Sequence, residues 1–212
     1  MSSTFWPIKA IKQLLLIIII IIGLYGSAYS QSVFESNGNI ILKDSKGKQT
    51  TLTTSGPDSQ PSISPDGSSV VFRRTPNKKR IETASGDIAD SELWVIDLRT
   101  LQTEKIIEPN SLSNPKEVLA GFWTPQYSQD SKSIYFRSSA WTTSNAIHRI
   151  DMQTRKVKYI TDGNSLEVIR KGKYKGYLKV NKHKYLEGGG SSDCDYILTP
   201  DGKEIKFINV CL

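Results

Sequence analysis

The side chains able to do chemistry are few in this chain of 212 residues. It holds two histidines, His148 and His183, and two cysteines, Cys194 and Cys211. No His-x-x-x-His or mixed His/Cys spacing suited to a metal occurs, and no Gly-x-Ser-x-Gly nucleophile elbow is written anywhere. The run Gly188-Gly189-Gly190-Ser191-Ser192-Asp193 is rich in glycine. No Gly-Lys-Ser/Thr follows it, so it reads as a flexible loop between strands and not as a phosphate cradle. The expectation is a protein with no catalytic residue, no metal and no cofactor, and so not an enzyme.

What remains is a basic, tyrosine-bearing stretch. Arg170, Lys171, Lys173, Tyr174, Lys175, Tyr177 and Lys179 lie within ten positions, followed by Lys182, His183, Lys184 and Tyr185. Cations interleaved with aromatic rings can hold an anionic polymer through carboxylate or phosphate pairing and stacking. The plainer reading is a solvated strand edge whose lysines oppose sheet-to-sheet association.

The elements that must position these groups come from a motif written twice. Gln60-Pro61-Ser62-Ile63-Ser64-Pro65-Asp66-Gly67 leads into Val70-Val71-Phe72-Arg73, and Thr124-Pro125-Gln126-Tyr127-Ser128-Gln129-Asp130-Ser131 leads into Ile134-Tyr135-Phe136-Arg137. Each reads as strand, tight turn, strand. Asp66 and Asp130 are assigned to turn chemistry, since an Asp there bonds nearby backbone; too few carboxylates surround either for a calcium cage. Phe72 and Phe136 are expected between neighbouring sheets, each contributing about 1.5 to 3 kcal/mol of burial.

A second repeat follows the first. Glu92 to Gln102 matches Ala146 to Lys156, with Asp97 on Asp151 and Thr100 on Thr154, and a short apolar stretch comes after each. Each unit then holds four strands, the content of a propeller blade. Weaker copies flank the pair: Asn39 to Lys43 and Gln49 to Thr53 look like a third and fourth strand only. Leu166 to Arg170, Tyr177 to Leu186, Asp195 to Thr199 and Glu204 to Ile208 look like a divergent complete blade. The expected fold is all-β, a β-propeller-like array of about three to four four-stranded antiparallel blades, forming a small ring or an open fan. The insertion Pro76 to Ser91 lengthens one loop, and Trp123 and Trp141 are candidates for lining one end, with the core the commoner place for Trp.

These residues resemble the TolB-like, WD40-like (PD40) propeller repeats of TolB-type periplasmic proteins and of prolyl-oligopeptidase-type peptidases. The resemblance rests on Pro61 to Gly67 with Val70 to Phe72, and on Leu93 to Gln102; Gln129 and Ser131 stand where the motif expects Pro and Gly. It implies a propeller that presents loops to a partner. Peptidases with such a propeller carry a separate hydrolase domain, for which this chain has no residues left over.

Residues 1–30 contain no acid, carry Lys9 and Lys12 ahead of the apolar run Leu14 to Leu24, and end in Gly26-Ser27-Ala28-Tyr29-Ser30. This is the layout of a signal peptide cleaved before Gln31, with an uncleaved anchor as the alternative. The run is shorter than the roughly 20 residues that span hydrocarbon. Residues 31–212 are then the propeller domain, periplasmic or secreted, and loss of the two lysines lowers the net charge from +7 to +5. In an oxidising compartment Cys194 and Cys211 fall opposite one another across a terminal hairpin. A disulfide is expected there, contributing on the order of 3 kcal/mol in the chain-entropy model. The expected partners are one or more envelope proteins, with an anionic lipid or glycan at the basic stretch, no nucleic acid, and self-association through sheet edges. A hydrolase or lyase acting on envelope polymers is the alternative function.

Overall fold

A computed structural model describes residues 31–54, 56–76, 80–84 and 86–208. Among these there is no helix. Seventeen strands form four successive antiparallel sheets plus a separate hairpin. The first sheet is β1 (Ser32–Ser36), β2 (Asn39–Lys43) and β3 (Gln49–Thr51). The second is β4 (Asp58–Ile63), β5 (Ser69–Arg74), β8 (Glu92–Asp97) and β9 (Thr103–Ile107), interrupted by the hairpin β6 (Arg80–Thr83) and β7 (Gly86–Ala89). The third is β10 (Trp123–Tyr127), β11 (Ser133–Ser139), β12 (Asn145–Asp151) and β13 (Val157–Asp162). The fourth is β14 (Ser165–Val168), β15 (Leu178–Tyr185), β16 (Ser191–Leu198) and β17 (Glu204–Phe207).

The two motif copies fold alike. β4 meets β5 and β10 meets β11 with a bulge at the same place, where Gln60 (φ 52°) and Thr124 (φ 47°) precede a proline. In the turns that follow, Gly67 (φ 72°) and Ser131 (φ 62°) occupy the same left-handed position. Ser131 therefore accepts a conformation that glycine adopts more cheaply. The turn between the last two strands also recurs in all four sheets: Asp44, Asp97, Asp151 and Thr199 each donate a backbone N–H to the residue closing the turn, at 2.8 to 3.1 Å.

Sheets pack in sequence, β1 and β2 on β4, β4 and β5 on β10, and β10 and β11 on β14, with no comparable contact between first and last. Apolar side chains fill each interval. Ile40 packs with Val70, Phe72 and Ile96; Val71 and Leu93 with Phe122, Phe136 and Ile150; Tyr135 and Ile147 with Leu166, Val168 and Val180. Phe72 and Phe136 are fully buried between sheets, as expected.

Several boundaries differ from the sequence reading. The first sheet has a strand, β1, that the repeat did not announce; it pairs with β2 through Asn37-Gly38, both at positive φ (50° and 75°), the geometry of a type I′ hairpin. The insertion that lengthens the β5–β8 loop folds into a hairpin. β16 begins at Ser191, so the glycine loop ends three residues earlier than read, because those residues pair with β15 up to Tyr185↔Ser191. Residues 1–30 and Cys211 lie outside the described residues. Cys194 is buried in β16.

Candidate functional site

Antiparallel order gives the array two unlike ends. In the four-stranded sheets the first-to-second and third-to-fourth connections, and in the first sheet the β2–β3 turn, lie at one, here the turn end; the second-to-third connections, the β1–β2 turn and the links between sheets lie at the other, the loop end. Hydrogen bonds between sheets agree. At the turn end Ser131 Oγ accepts from the Asp66 N–H (3.3 Å), and Tyr135 donates to the Pro200 carbonyl (3.0 Å). At the loop end the Asp58 N–H, opening β4, donates to Gly38 O in the β1–β2 turn (2.8 Å).

The motif aspartates are turn residues. Asp66 accepts from the Ser64 hydroxyl at 2.6 Å and from Ser68; Asp130 accepts from the Ser128 hydroxyl at 2.6 Å and from the Lys132 N–H. The serine hydroxyl is the main reason each carboxyl sits below its ordinary range, against a smaller opposing effect of burial. Such carboxylates stay ionised and already committed.

The motif arginines join one sheet to the next. Arg73 Nε donates to Ser59 Oγ (3.2 Å) and its Nη1 to the Phe122 carbonyl (3.4 Å). Arg137 repeats this with Thr124 Oγ1 (3.2 Å) and the Asn164 carbonyl. Glutamine side chains add a second connection. Gln60 Oε1 accepts from Thr124 N–H (2.6 Å), while Gln126 donates to Leu166 O (2.8 Å) and accepts from Val168 N–H (3.0 Å). Backbone groups of the inner strands are thereby satisfied without a neighbouring strand. The Phe-Arg repeat was visible in sequence; the glutamine clamps were not, since they occupy different motif positions.

Against these inner strands lies an open groove of about 660 Å³. Pro61 and Ile63 of β4, Trp123 and Gln126 of β10, Arg137 and Arg170 line it, with Ser32 and Val33 of β1 on the remaining side. A smaller cleft of about 320 Å³ opens between third and fourth sheets at the turn end, walled by Tyr135, Tyr177 and Pro200, with Gln129, Arg149 and Lys175 supplying polarity. Arg149 Nη1 is paired there with Asp201 at 2.9 Å.

The structure divides the basic stretch. Residues 169–177 form the β14–β15 connection at the turn end, folded by N–H bonds from Gly176 to Ile169 O and from Tyr177 to Tyr174 O. Lys171, Lys173 and Lys175 are exposed, and Tyr174 and Tyr177 are half-buried with ring centres 5.8 Å apart. Arg170 turns inward instead, donating to the Tyr127 carbonyl at 2.6 Å. Lys179 lies on the outer face of β15, 3.2 Å from Asp195. Lys182 is buried, held by Thr161 (2.8 Å), Glu204 (2.9 Å) and Asp162 (3.3 Å). Burial acts against its charge, but those acids outweigh it and the ammonium titrates above its ordinary value. The strand-edge reading is thus corrected. β15 is an interior strand, and the exposed lysines sit on a connection before it.

The two histidines differ in setting. His148 is buried: its Nε2 donates to Lys116 O (3.0 Å), its Nδ1 lies 3.2 Å from Ser138 Oγ, and its ring stacks on Phe136. Burial holds it below the ordinary value of 6.5. His183 pairs with Asp193 at 2.9 Å. Among the described residues no group of three His, Cys, Asp or Glu side chains is arranged to hold a metal ion. Trp123 lines the open groove, and Trp141 packs against Tyr159, ring centres 6.3 Å apart.

No protein-family profile matches the sequence, and no curated protein matches it significantly. Solved structures do match. TolB from Acinetobacter baumannii is 20% identical, with a TM-score of 0.52 over 84% of this chain and 41% of that one. The β-propeller domain of the Trilobed protease from Pyrococcus furiosus is 20% identical, with a TM-score of 0.52 over 82% and 49%. The fold is a TolB-like β-propeller array. An oligogalacturonate lyase in complex with manganese shares this TolB-like arrangement at 12% identity and a TM-score of 0.57, over 85% and 51%. The chain spans about half the length of each of these neighbours or less.

Proposed function

We propose that the chain is an exported, non-catalytic propeller module of the cell envelope, periplasmic or secreted, that binds another envelope protein. One observation carries the reading: the repeat's reactive side chains are already engaged. Asp66 and Asp130 hold their turns, Arg73 and Arg137 join sheets, and His148 is buried, while the groove along the inner strands stays open. A rigid scaffold presenting loops is suited to recognition. The likeness to TolB supports the same role. Cross-linking the full chain in envelope extract, then re-binding the captured protein in purified form, tests it. One saturable complex is expected; no partner at any salt concentration counts against the reading.

The lyase likeness favours a second reading, action on an acidic envelope polymer. It requires turnover of such a polymer that disappears when two facing carboxylates are replaced. Export also predicts the Cys194–Cys211 bond, checked by a mass increase of two thiol hydrogens on reduction of the purified protein.

A further inference from the structure

We infer that the turn end of the array docks on an anionic lipid surface. The two ends differ in charge: the seven turn-end connections carry eleven basic residues against four acidic ones, with Asp97 and Asp151 on the strand ends leading into two of them, while the loop-end connections, the β6–β7 hairpin included, carry four against six. The six turn-end acids are Asp44, Asp66, Asp97, Asp130, Asp151 and Asp201. The first five accept hydrogen bonds within their own turns, and Asp201 pairs with Arg149. Lys171, Lys173 and Lys175 form no ion pair among the described residues.

The path of the chain points to a membrane as the source of negative charge. Gln31, where the described chain begins, lies at this same end, its side chain beside Gly67 in the Asp66 turn. The thirty residues before it contain the apolar run Leu14 to Leu24. Retained as an anchor, the alternative to cleavage before Gln31, that run would tether this basic end at a bilayer, where anionic headgroups attract each lysine by about 1 kcal/mol, or about fivefold in association. Amphipathic contacts are present there too. Leu101 is 57% exposed at a turn-end tip, and Tyr174 stands beside Lys173, whose Nζ lies 5.5 Å from the ring centre. Rings and aliphatic tips of this kind sit at the headgroup level. Docking this way leaves the loop end and the β6–β7 hairpin free for a protein partner, and does not depend on one.

Lysine labelling with mass-spectrometric readout tests the inference on the full chain, mixed with vesicles of phosphatidylcholine alone or with added phosphatidylglycerol. On the anionic vesicles, turn-end lysines 46, 48, 171, 173, 175 and 203 are expected to label several-fold more slowly, with Lys116 and Lys184 near the loop end unchanged. High salt should abolish the protection. The variant carrying Lys171→Gln, Lys173→Gln and Lys175→Gln should need on the order of a hundredfold more anionic lipid to protect Lys46, Lys48 and Lys203. Equal labelling on both vesicles overturns the inference, as does protection confined to the loop end. So does a soluble acidic polysaccharide that protects the turn end where phosphatidylglycerol does not.

Discussion

The second and third blades share a backbone but fill one equivalent site with different chemistry. In the second, buried Asp58 receives two bonds from Arg74 at 2.6 and 2.8 Å, and the guanidinium lies 4.6 Å above the Trp94 ring. In the third, the same three positions hold Phe122, Ser138 and His148: Phe122 meets Phe136 edge-on at 5.5 Å, and His148 stacks on Phe136 while holding the 108–122 connection through Lys116 O. One site is closed by a charge pair, the other by aromatic packing with a neutral imidazole. The blade geometry belongs to strand pairing and the apolar faces. The polar filling is interchangeable, provided every buried group finds a partner.

That contrast is open to measurement. Phe136→Ala removes the ring on which the third site is built, and should cost about 3 to 5 kcal/mol in chemical denaturation. Asp58→Ala should cost about 3 kcal/mol by leaving Arg74 without its counter-charge; a loss as small as that of a surface substitution would show the pair to be dispensable. The sites should also part on acidification. His148 titrates below 6.5 in the fold because it is buried, so the unfolded chain takes up its proton first. Its contribution is complete above about 6.5 and falls as pH drops below that value toward the folded one. Hydrogen-exchange protection in 116–119 and 145–150, taken relative to the intrinsic rate at each pH, should therefore fall at acidic pH, and His148→Phe should flatten the response. Arg74, raised by its hydrogen bond to Asp58, stays charged throughout that window. The clamps should show the smallest effects. Gln126→Ala, which breaks two bonds to β14, should cost about 1 to 2 kcal/mol, and Gln60→Ala, which breaks one, about 1 kcal/mol.

How far such features could be read in advance depended on range. Pro65-Asp66-Gly67 and Asp97 to Thr100 act through bonds to residues two to five positions away, so composition and spacing were enough to place them. β1 carried an equally local signal, Asn37-Gly38, but its strand does not follow the apolar spacing of the other copies. Lys182 defeated sequence reasoning altogether. It lies among lysines that face solvent, and only the neighbouring β13 and β17, bringing Asp162 and Glu204, make its burial tolerable.

By itself the sequence determined the all-β class, the two aligned blades and the structural use of their aspartates, because strand alternation and turn bonding are settled within a few residues. The tertiary structure alone decided that Arg73 and Arg137 join sheets, that the lysine stretch splits between a buried ammonium and an exposed loop, and that Gln31 shares an end with that loop. Those outcomes depend on contacts between residues tens of positions apart, whose partners no local pattern specifies.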